Sequence, residues 1–183
     1  MTTIYLIRHA EAEGNIYRRY HGWYNSLITL NGYRQIQALE KRFEGVRIDA
    51  VYSSDLFRTM TTAGALYKSR GLELHTDPGL REIGGGVWED KTWGWLHREN
   101  EGALDAFNRA DPAWQVEGSE TFGGVQMRVT HAIRRIAAAH PGQTVAIFSH
   151  GTAIRTALAK FYGYPLDQIA RVPHGDNTCV SKL

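Results

Sequence analysis

Five residues of the chain stand just after short apolar segments, and their side chains together fit phosphoryl-transfer chemistry. They are Arg8, His9, Arg58, Glu82 and His150. Guanidinium groups match the forked oxygens of a phosphoryl group, and a neutral imidazole can attack phosphorus. A carboxyl group can protonate the departing oxygen and later accept a proton from water. The set therefore predicts an enzyme that takes a phosphoryl group from a phosphoester.

The sequence carries no motif typical of metal-dependent phosphoryl transfer. It contains no P-loop, no paired aspartates at metal-ligand spacing and no HExxH segment. Five further histidines show no ligand spacing, and we interpret them as structural or surface residues: His75, His97, His131, His140 and His174. The arginines would then have to neutralise the phosphoryl charge. We therefore predict a metal-independent reaction that uses no cofactor.

Length, charge and cysteine content narrow the class of protein further. The 183 residues are 43% hydrophobic, which suits one domain over residues 1–183. A formal net charge of +2 predicts neither a nucleic-acid nor a membrane partner. The single cysteine, Cys179, excludes an internal disulfide, a cysteine-rich zinc site and a CxxC redox pair. Because we find no basic leader and no long apolar segment, we expect a cytoplasmic protein.

Apolar runs and helical periodicities alternate along the chain. Strands are predicted at Ile4–Ile7, Asp49–Ser53, Leu72–Thr76, Thr144–Phe148 and Asn177–Ser181. Helices are predicted over residues 29–45, 54–71, 121–140 and from 151 onward, with Ser54 or Asp55 capping the second. This alternation indicates a three-layer α/β/α fold around a mostly parallel sheet. Such sheets bind ligands at the carboxyl ends of their strands, where the five residues fall.

The alternation of strand and helix patterns becomes irregular over residues 84–115, and we predict an insertion or lid there. Four of the five tryptophans fall in or next to it: Trp88, Trp93, Trp95 and Trp114. Large aromatic residues usually fill a core, so we favour that role over recognition of an aromatic or sugar-bearing substrate.

Four segments resemble the motifs of the histidine phosphatase superfamily, which includes the cofactor-dependent phosphoglycerate mutases. They are Leu6–Glu11 with Asn15 and Arg19–Trp23, then Tyr52–Thr59, then Leu80–Ile83 with Gly86–Glu89, and finally Ser149–Gly151. One Arg-His-x-Glu tetrapeptide is weak support. Four motifs in family order are specific support for the resemblance. Each lies at a predicted strand end, and together they span nearly the whole chain.

The resemblance implies a role for each matching residue. His9 would become a phosphohistidine, while Arg8, Arg58 and His150 would bind the phosphoryl group. Glu82 would protonate the leaving group and then activate water. The implied substrate-binding set adds Asn15, His21, Gly22 and Gly151. Two positions depart from the family pattern: histidine at 21, where glutamine or threonine is commoner, and Ala10 in place of the usual glycine.

Within the family, the sequence favours a phosphatase acting on a small phosphomonoester. A mutase must shield its phosphohistidine from water, and this chain is short. It also lacks the Glu-Arg-His-Tyr-Gly run that mutases of the family carry after their acid; here Glu82 is followed by Ile83–Trp88. The alternatives are a phosphoglycerate mutase and a non-catalytic module that binds a phosphate ligand. We expect a monomer or a homodimer.

Two residues have simpler interpretations that the sequence leaves open. Arg58 could be a surface arginine paired with Asp55, and Glu82 could be a solvated carboxylate at a strand end.

Overall fold

A five-stranded sheet organises the protein, which the computed structural model describes over all residues 1–183. Its strands are β1 Thr3–Arg8, β2 Ala50–Ser53, β3 Leu74–Thr76, β4 Thr144–Ser149 and β5 Val180–Lys182. They are arranged in the order β3-β2-β4-β1-β5. The first four run parallel, and β5 pairs antiparallel with β1. The prediction of a mostly parallel sheet covered by helices is confirmed.

Seven α-helices connect or flank the strands. They are α1 Glu13–Ile16, α2 Leu30–Arg42, α3 Phe57–Tyr67, α4 Trp93–Glu99, α5 Glu101–Asn108, α6 Phe122–Ala139 and α7 Gly151–Phe161. Short 3₁₀ turns span Pro78–Leu80, Gly86–Trp88 and Leu166–Arg171. The hydroxyls of Thr29 and Thr121 cap α2 and α6 by accepting backbone N–H bonds. None of these helices is long and apolar enough to cross a membrane.

The two faces of the sheet carry two separate cores, because successive side chains of a strand point to opposite faces. Leu6 and Ile147 belong to the larger cluster, which includes residues of α6 and α7. Ile7 and Phe148, the next residues along, belong to the smaller cluster with residues of α2 and α3. Burial on both faces explains why β1 and β4 form continuous apolar runs.

One predicted helix cap is wrong. The N-cap of α3 is Leu56, which makes no side-chain capping bond. Ser54 instead hydrogen-bonds to His150 and Thr59, and Asp55 pairs with Arg81. The distant residues His150 and Arg81 thus compete successfully for the two side chains that could have capped the helix locally.

The aromatic-rich segment contributes to the larger core. Trp88 and Trp114 are almost fully buried. Their rings lie 5.3 Å apart and both also pack against Phe107. Core filling, the role favoured from the sequence, therefore describes these two tryptophans.

Candidate active site

Parallel pairing of β1 with β4 brings two histidines together. Arg8 lies opposite Ser149 in the register, so the next residue on each strand, His9 and His150, leaves the sheet at the same point. The backbone N–H of His9 donates to the Ser149 carbonyl at 3.0 Å. The two imidazole centroids are 5.3 Å apart. Residues 141 positions apart in the chain thus meet at one edge of the sheet.

A hydrogen bond fixes which nitrogen of His9 can attack. Its Nδ1 lies 2.7 Å from the Ala10 carbonyl oxygen, which only accepts, so Nδ1 carries the hydrogen. Nε2 then keeps its lone pair. Burial, together with the nearby Arg58 and Arg8 charges, holds the pKa of His9 well below its usual value. At neutral pH His9 is therefore an uncharged imidazole with a nucleophilic Nε2.

Arg58 is a fully buried cation rather than a surface residue. Its Nη1 and Nη2 donate to the carbonyls of Tyr24 and Gly22 at 2.9 and 2.8 Å. Asp55, its alternative partner, pairs with Arg81 instead, at 2.6 Å from Nε to Oδ1. Burial lowers the pKa of Arg58 to about 10, so it still carries its charge at pH 7. The interpretation of Arg58 as a surface arginine is wrong.

The nitrogens around His9 include donors without a protein partner. Nε of Arg8 and Nε of Arg58 are buried and make no hydrogen bond. The Arg8 guanidinium is otherwise held by the Gly175 carbonyl, 2.5 Å from Nη1. Because buried N–H groups of cations are normally satisfied, this pair matches an oxyanion bound next to His9.

His150 is held by a chain of hydroxyl groups. Its Nε2 lies 2.7 Å from Ser54 Oγ, which lies 2.7 Å from Thr59 Oγ1. The Thr59 hydroxyl donates to the Leu56 carbonyl at 2.7 Å, so the Ser54 hydroxyl donates to Thr59 and accepts from His150. Neutral His150 thus carries its hydrogen on Nε2 and a lone pair on its unpartnered Nδ1. It can donate to a phosphoryl oxygen only after taking up a proton.

Replacing Ser54 with alanine removes the acceptor that fixes the His150 tautomer. We expect kcat/KM for a phosphomonoester to fall about 10- to 100-fold, as for outer partners of ligating histidines. The ¹⁵N shifts of His150 should move towards a tautomer mixture. Ser53→Ala is the matched control, because Ser53 is equally buried but bonds only to the Ser54 carbonyl. Equal losses in the two variants would contradict the role of Ser54.

Glu82 lies at the N-terminus of α7. Its carboxylate accepts N–H bonds from Thr152 at 3.1 Å, Ala153 at 2.9 Å and its neighbour Ile83 at 3.0 Å. Two of these N–H groups belong to the first turn of the helix, where no intrahelical acceptor exists. The carboxylate is thus positioned by backbone donors, and the interpretation of Glu82 as a merely solvated side chain is wrong.

A cavity of about 970 Å³ opens at the carboxyl ends of the strands. Eight of the nine predicted site residues line it: Arg8, His9, Asn15, His21, Gly22, Arg58, Glu82 and Gly151. His150 does not line the cavity, although its ring is next to that of His9. The structure therefore brings the whole predicted set together, with His150 in a fully buried position behind the surface.

Two glycines make room for the polar groups of the site. A Cβ on Gly14 would come within 1.6 Å of the His21 imidazole. Gly22 has φ of +45°, and a Cβ there would collide with the Glu89 carboxylate. Its carbonyl meanwhile accepts from Arg58. Gly14 was not predicted from the sequence, because nothing local shows that His21 folds over it.

Several other residues of the cavity wall also escaped prediction. They are Arg18, Arg19, Thr92, Trp93, Asn108, His97 and His174. His97 and His174, which the sequence analysis assigned to structural or surface roles, are exposed residues of the cavity wall. Neither follows a strand, which was the sequence signal used for the site. Only the approach of α4, α5 and the segment before β5 to the sheet edge places them there.

Three histidines, of which His9 and His150 are buried and His21 is half-buried, should make the protein sensitive to acid. Burial, with Arg58 as the next cause, lowers the pKa of His9 and His150 well below 6.5 and that of His21 to about 3. At a pH between the lowered pKa values and 6.5, the unfolded chain binds more protons than the folded one. The contribution of these histidines to the free energy of unfolding is therefore fully present above pH 6.5 and is lost as the pH falls. Each histidine contributes up to about 1.4 kcal/mol per pH unit.

Urea unfolding from pH 7 to 4.5, in buffers without phosphate, measures this loss. We expect His21→Gln to reduce the slope by about one proton, whereas exposed His131→Gln should leave it unchanged. A wild-type slope near zero between pH 6.5 and 5 would contradict burial of neutral histidines.

Comparison with known proteins agrees with this arrangement. The model of the histidine phosphatase superfamily (branch 1) matches residues 4–183. The chain belongs to this superfamily. The resemblance noted from four sequence motifs is thereby confirmed, and the motifs are the segments whose residues converge on the cavity.

Relatives of the chain carry both mutase and phosphatase names. "Probable phosphoglycerate mutase GpmB" of Cronobacter sakazakii is 30% identical over 165 residues, covering 90% of this chain and 77% of that protein. The structure of Bacillus stearothermophilus YhfR matches with a TM-score of 0.95 and 35% identity, over 100% of this chain and 90% of the other. The alpha-ribazole phosphatase of Shigella flexneri matches with a TM-score of 0.88 and 27% identity, over 98% and 89%.

Proposed function

We propose that this histidine phosphatase superfamily member hydrolyses small phosphomonoesters through a phosphohistidine on His9. The observation that carries the proposal is the state of His9: Nδ1–H is held by the Ala10 carbonyl, which leaves the Nε2 lone pair free. Beside it lie two guanidinium groups whose Nε atoms have no protein partner. A nucleophile flanked by unsatisfied cationic donors suits attack on phosphorus and little else.

The reaction proceeds in two displacements. In the first, Nε2 of His9 forms a bond to phosphorus, the P–O ester bond breaks, and the leaving oxygen takes the proton of Glu82. In the second, water attacks the phosphohistidine, the P–N bond breaks, and Glu82 takes the proton of the water. Inorganic phosphate leaves, and His9 and Glu82 regain their starting states.

The charge of the phosphoryl group is balanced by the protein. Arg8 and Arg58 stabilise its non-bridging oxygens through both displacements. His150 takes up a proton when the dianion binds, and its Nδ1 then donates as well. The N-terminus of α7, which begins at Gly151 in the cavity wall, adds favourable partial charge. We propose that this set makes a metal ion unnecessary.

The proposal also covers the organisation of the chain. We propose one catalytic domain over residues 1–183, with the segment 84–115 lying at the cavity mouth. Support comes from Trp93 of α4 and Phe107 of α5, which both line the cavity.

A mutase reaction is the second candidate, and the name of the Cronobacter sakazakii relative favours it. The sequence after Glu82 and the alpha-ribazole phosphatase named among the structural matches favour hydrolysis. The two reactions differ only in what accepts the phosphoryl group from His9. Incubation with 3-phosphoglycerate and a trace of 2,3-bisphosphoglycerate separates them: a phosphatase releases phosphate, and a mutase forms 2-phosphoglycerate.

Hydrolysis of p-nitrophenyl phosphate in excess EDTA tests the proposal. We expect full turnover in chelator and an acid-labile, base-stable phosphoenzyme after rapid quenching. Activity that returns only when divalent metal is added would overturn metal independence. If the protein binds inorganic phosphate tightly but hydrolyses nothing, either in chelator or with added metal, it is a phosphate-binding module and not an enzyme.

Replacing Glu82 with glutamine removes the proton donor while keeping an acceptor for the N–H groups of α7. For an alkyl phosphate, whose leaving group is a strong base, we expect the rate of phosphoenzyme formation to fall about 10²–10⁴-fold. For p-nitrophenyl phosphate, whose leaving group needs little help from an acid, the loss should be much smaller. An equal effect on both substrates would contradict the assignment of Glu82 as the acid.

A further inference from the structure

Arg58 is a buried cation without a carboxylate partner. Its guanidinium donates only to the carbonyls of Gly22 and Tyr24, and none of the ion pairs of the protein includes it. Buried charges are normally paired, because taking a lone charge out of water is costly. A direct carboxylate partner, however, would occupy the guanidinium that the proposed mechanism uses to hold the phosphoryl group. The charge of Arg58 therefore needs a form of stabilisation that leaves the guanidinium free.

The loop whose carbonyls accept from Arg58 is held by the carboxylate of Glu89. Oε2 of Glu89 accepts from the backbone N–H groups of Trp23 and Tyr24 at 2.9 and 2.8 Å. Oε1 accepts from the Gly85 N–H at 2.7 Å. Backbone donors thus face both oxygens, so the carboxyl group is an acceptor that carries no proton of its own. Glu89 lies outside the wall of the active-site cavity and lines a separate surface groove instead.

One peptide group connects Arg58 to Glu89. The Gly22 carbonyl accepts from Nη2 of Arg58 at 2.8 Å, and the N–H of the same peptide, which belongs to Trp23, donates to Glu89 at 2.9 Å. The peptide dipole therefore has its oxygen towards the cation and its hydrogen towards the anion. Hydrogen bonds in such a chain polarise and strengthen one another. Glycine permits this close approach, since a Cβ at position 22 would lie 2.0 Å from Oε1 of Glu89.

Glu89 is also a negative charge that persists near Arg58 during the proposed reaction. The charged and titratable groups that face Arg58 are two carboxyl groups and four basic groups: Glu82, Glu89, Arg8, His9, His21 and His150. Burial lowers the pKa of Arg58, and the two carboxylates raise it. In the proposed mechanism, Glu82 is protonated and His150 gains a proton when the substrate binds. Glu89 is then the carboxylate of this group that is ionised until Glu82 gives up its proton.

We propose that Glu89 is a positioning residue for Arg58, which it keeps charged and directed at the phosphoryl group through the peptide between Gly22 and Trp23. Because the two side chains do not touch, Glu89 supplies the counter-charge without occupying the guanidinium. Nε of Arg58, which is buried and has no protein partner, stays free for a phosphoryl oxygen. The proposal rests on the phosphomonoesterase activity proposed above.

A double-mutant cycle between Glu89 and Arg58 tests whether one acts through the other. Glu89→Gln keeps a carbonyl oxygen for the N–H groups of the loop but removes the charge. We expect kcat for p-nitrophenyl phosphate at pH 7 to fall about tenfold in the wild-type background and by less than about twofold in the Arg58→Met background. Asp49→Asn is the control, because its carboxylate also accepts a backbone N–H, from Thr144 at 2.8 Å, at the opposite end of β4 from His150. Its effect should be the same in both backgrounds.

Urea unfolding of the same proteins separates failure of this proposal from failure of the proposed function. Without the Glu89 charge the Arg58 cation is uncompensated, so Glu89→Gln should lower the unfolding midpoint of the wild type more than that of Arg58→Met. A Glu89→Gln protein that folds only in the Arg58→Met background gives the same support, and both results hold even if the wild type hydrolyses no phosphoester. Equal losses in the two backgrounds, in either measurement, would make Glu89 a merely structural residue and overturn the proposal.

Discussion

Replacing His9 with glutamine is expected to abolish both turnover and the phosphoenzyme. Nε2 of His9 is the only nucleophile that the proposed mechanism uses, and removing such a group costs about 10⁵-fold or more in kcat. Rapid-quench labelling with ³²P-labelled substrate measures the phosphoenzyme, and p-nitrophenol release measures turnover. Both signals should disappear together, because hydrolysis proceeds through the adduct in the proposed mechanism.

Glutamine keeps a polar side chain in the buried position, so the variant should fold. His131→Gln is the matched control, because His131 is exposed on α6 and lies outside the cavity wall. It should retain wild-type activity and labelling. Labelling that persists in the His9 variant would place the phosphoryl group on another residue. Turnover without labelling would indicate direct attack by water.

Replacing Arg58 with methionine is expected to give the second-largest loss. Arg58 is fully buried and keeps its charge at pH 7, and in the proposed mechanism that charge stabilises the phosphoryl group in the transition state. Arginines that stabilise transferred phosphoryl groups contribute about 10³–10⁵-fold in kcat. Stability should change by no more than about 2 kcal/mol, because removal of a buried charge offsets the loss of two hydrogen bonds to carbonyls. Steady-state kinetics and urea unfolding measure the two effects.

Arg70→Met provides the comparison for this variant. Arg70 also donates to backbone carbonyls, at 2.9 Å to Phe43 and 3.3 Å to Leu66, but it lies away from the cavity. We expect Arg70→Met to lose stability and keep its activity. If Arg58→Met lost activity only in proportion to its loss of folded protein, Arg58 would be a structural arginine and its predicted role would be wrong.

Much of the fold follows from local patterns. The apolar runs at Ile4–Ile7 and Thr144–Phe148 are too short for buried helices, and they lack polar alternation because both faces of these strands are buried. Thr29 and Thr121 cap their helices because their hydroxyls find an N–H three residues later. The edges of the sheet were predicted less well: β3 begins at Leu74 rather than Leu72, and β5 lies at Val180–Lys182. Edge strands are short and half-exposed, so their pattern is weak.

The sequence by itself also predicted the central members of the candidate site. In a parallel sheet the carboxyl ends of the strands meet at one edge, so residues that follow strands must converge. That rule, together with the motifs, predicted that Arg8, His9, Glu82 and His150 lie in one crevice at the end of the sheet. The prediction needed no knowledge of side-chain contacts, because the parallel direction of the strands alone places their carboxyl ends at one edge of the sheet.

The tertiary structure decided what these residues can do. The tautomer of His150 depends on Ser54, which lies 96 positions away, and the burial of Arg58 depends on carbonyls 34 and 36 positions away. The wall of the cavity is completed by residues of α4 and α5, among them Trp93 and Phe107. Protonation and charge balance are set by the distances between groups from distant parts of the chain, and a linear pattern does not encode those distances.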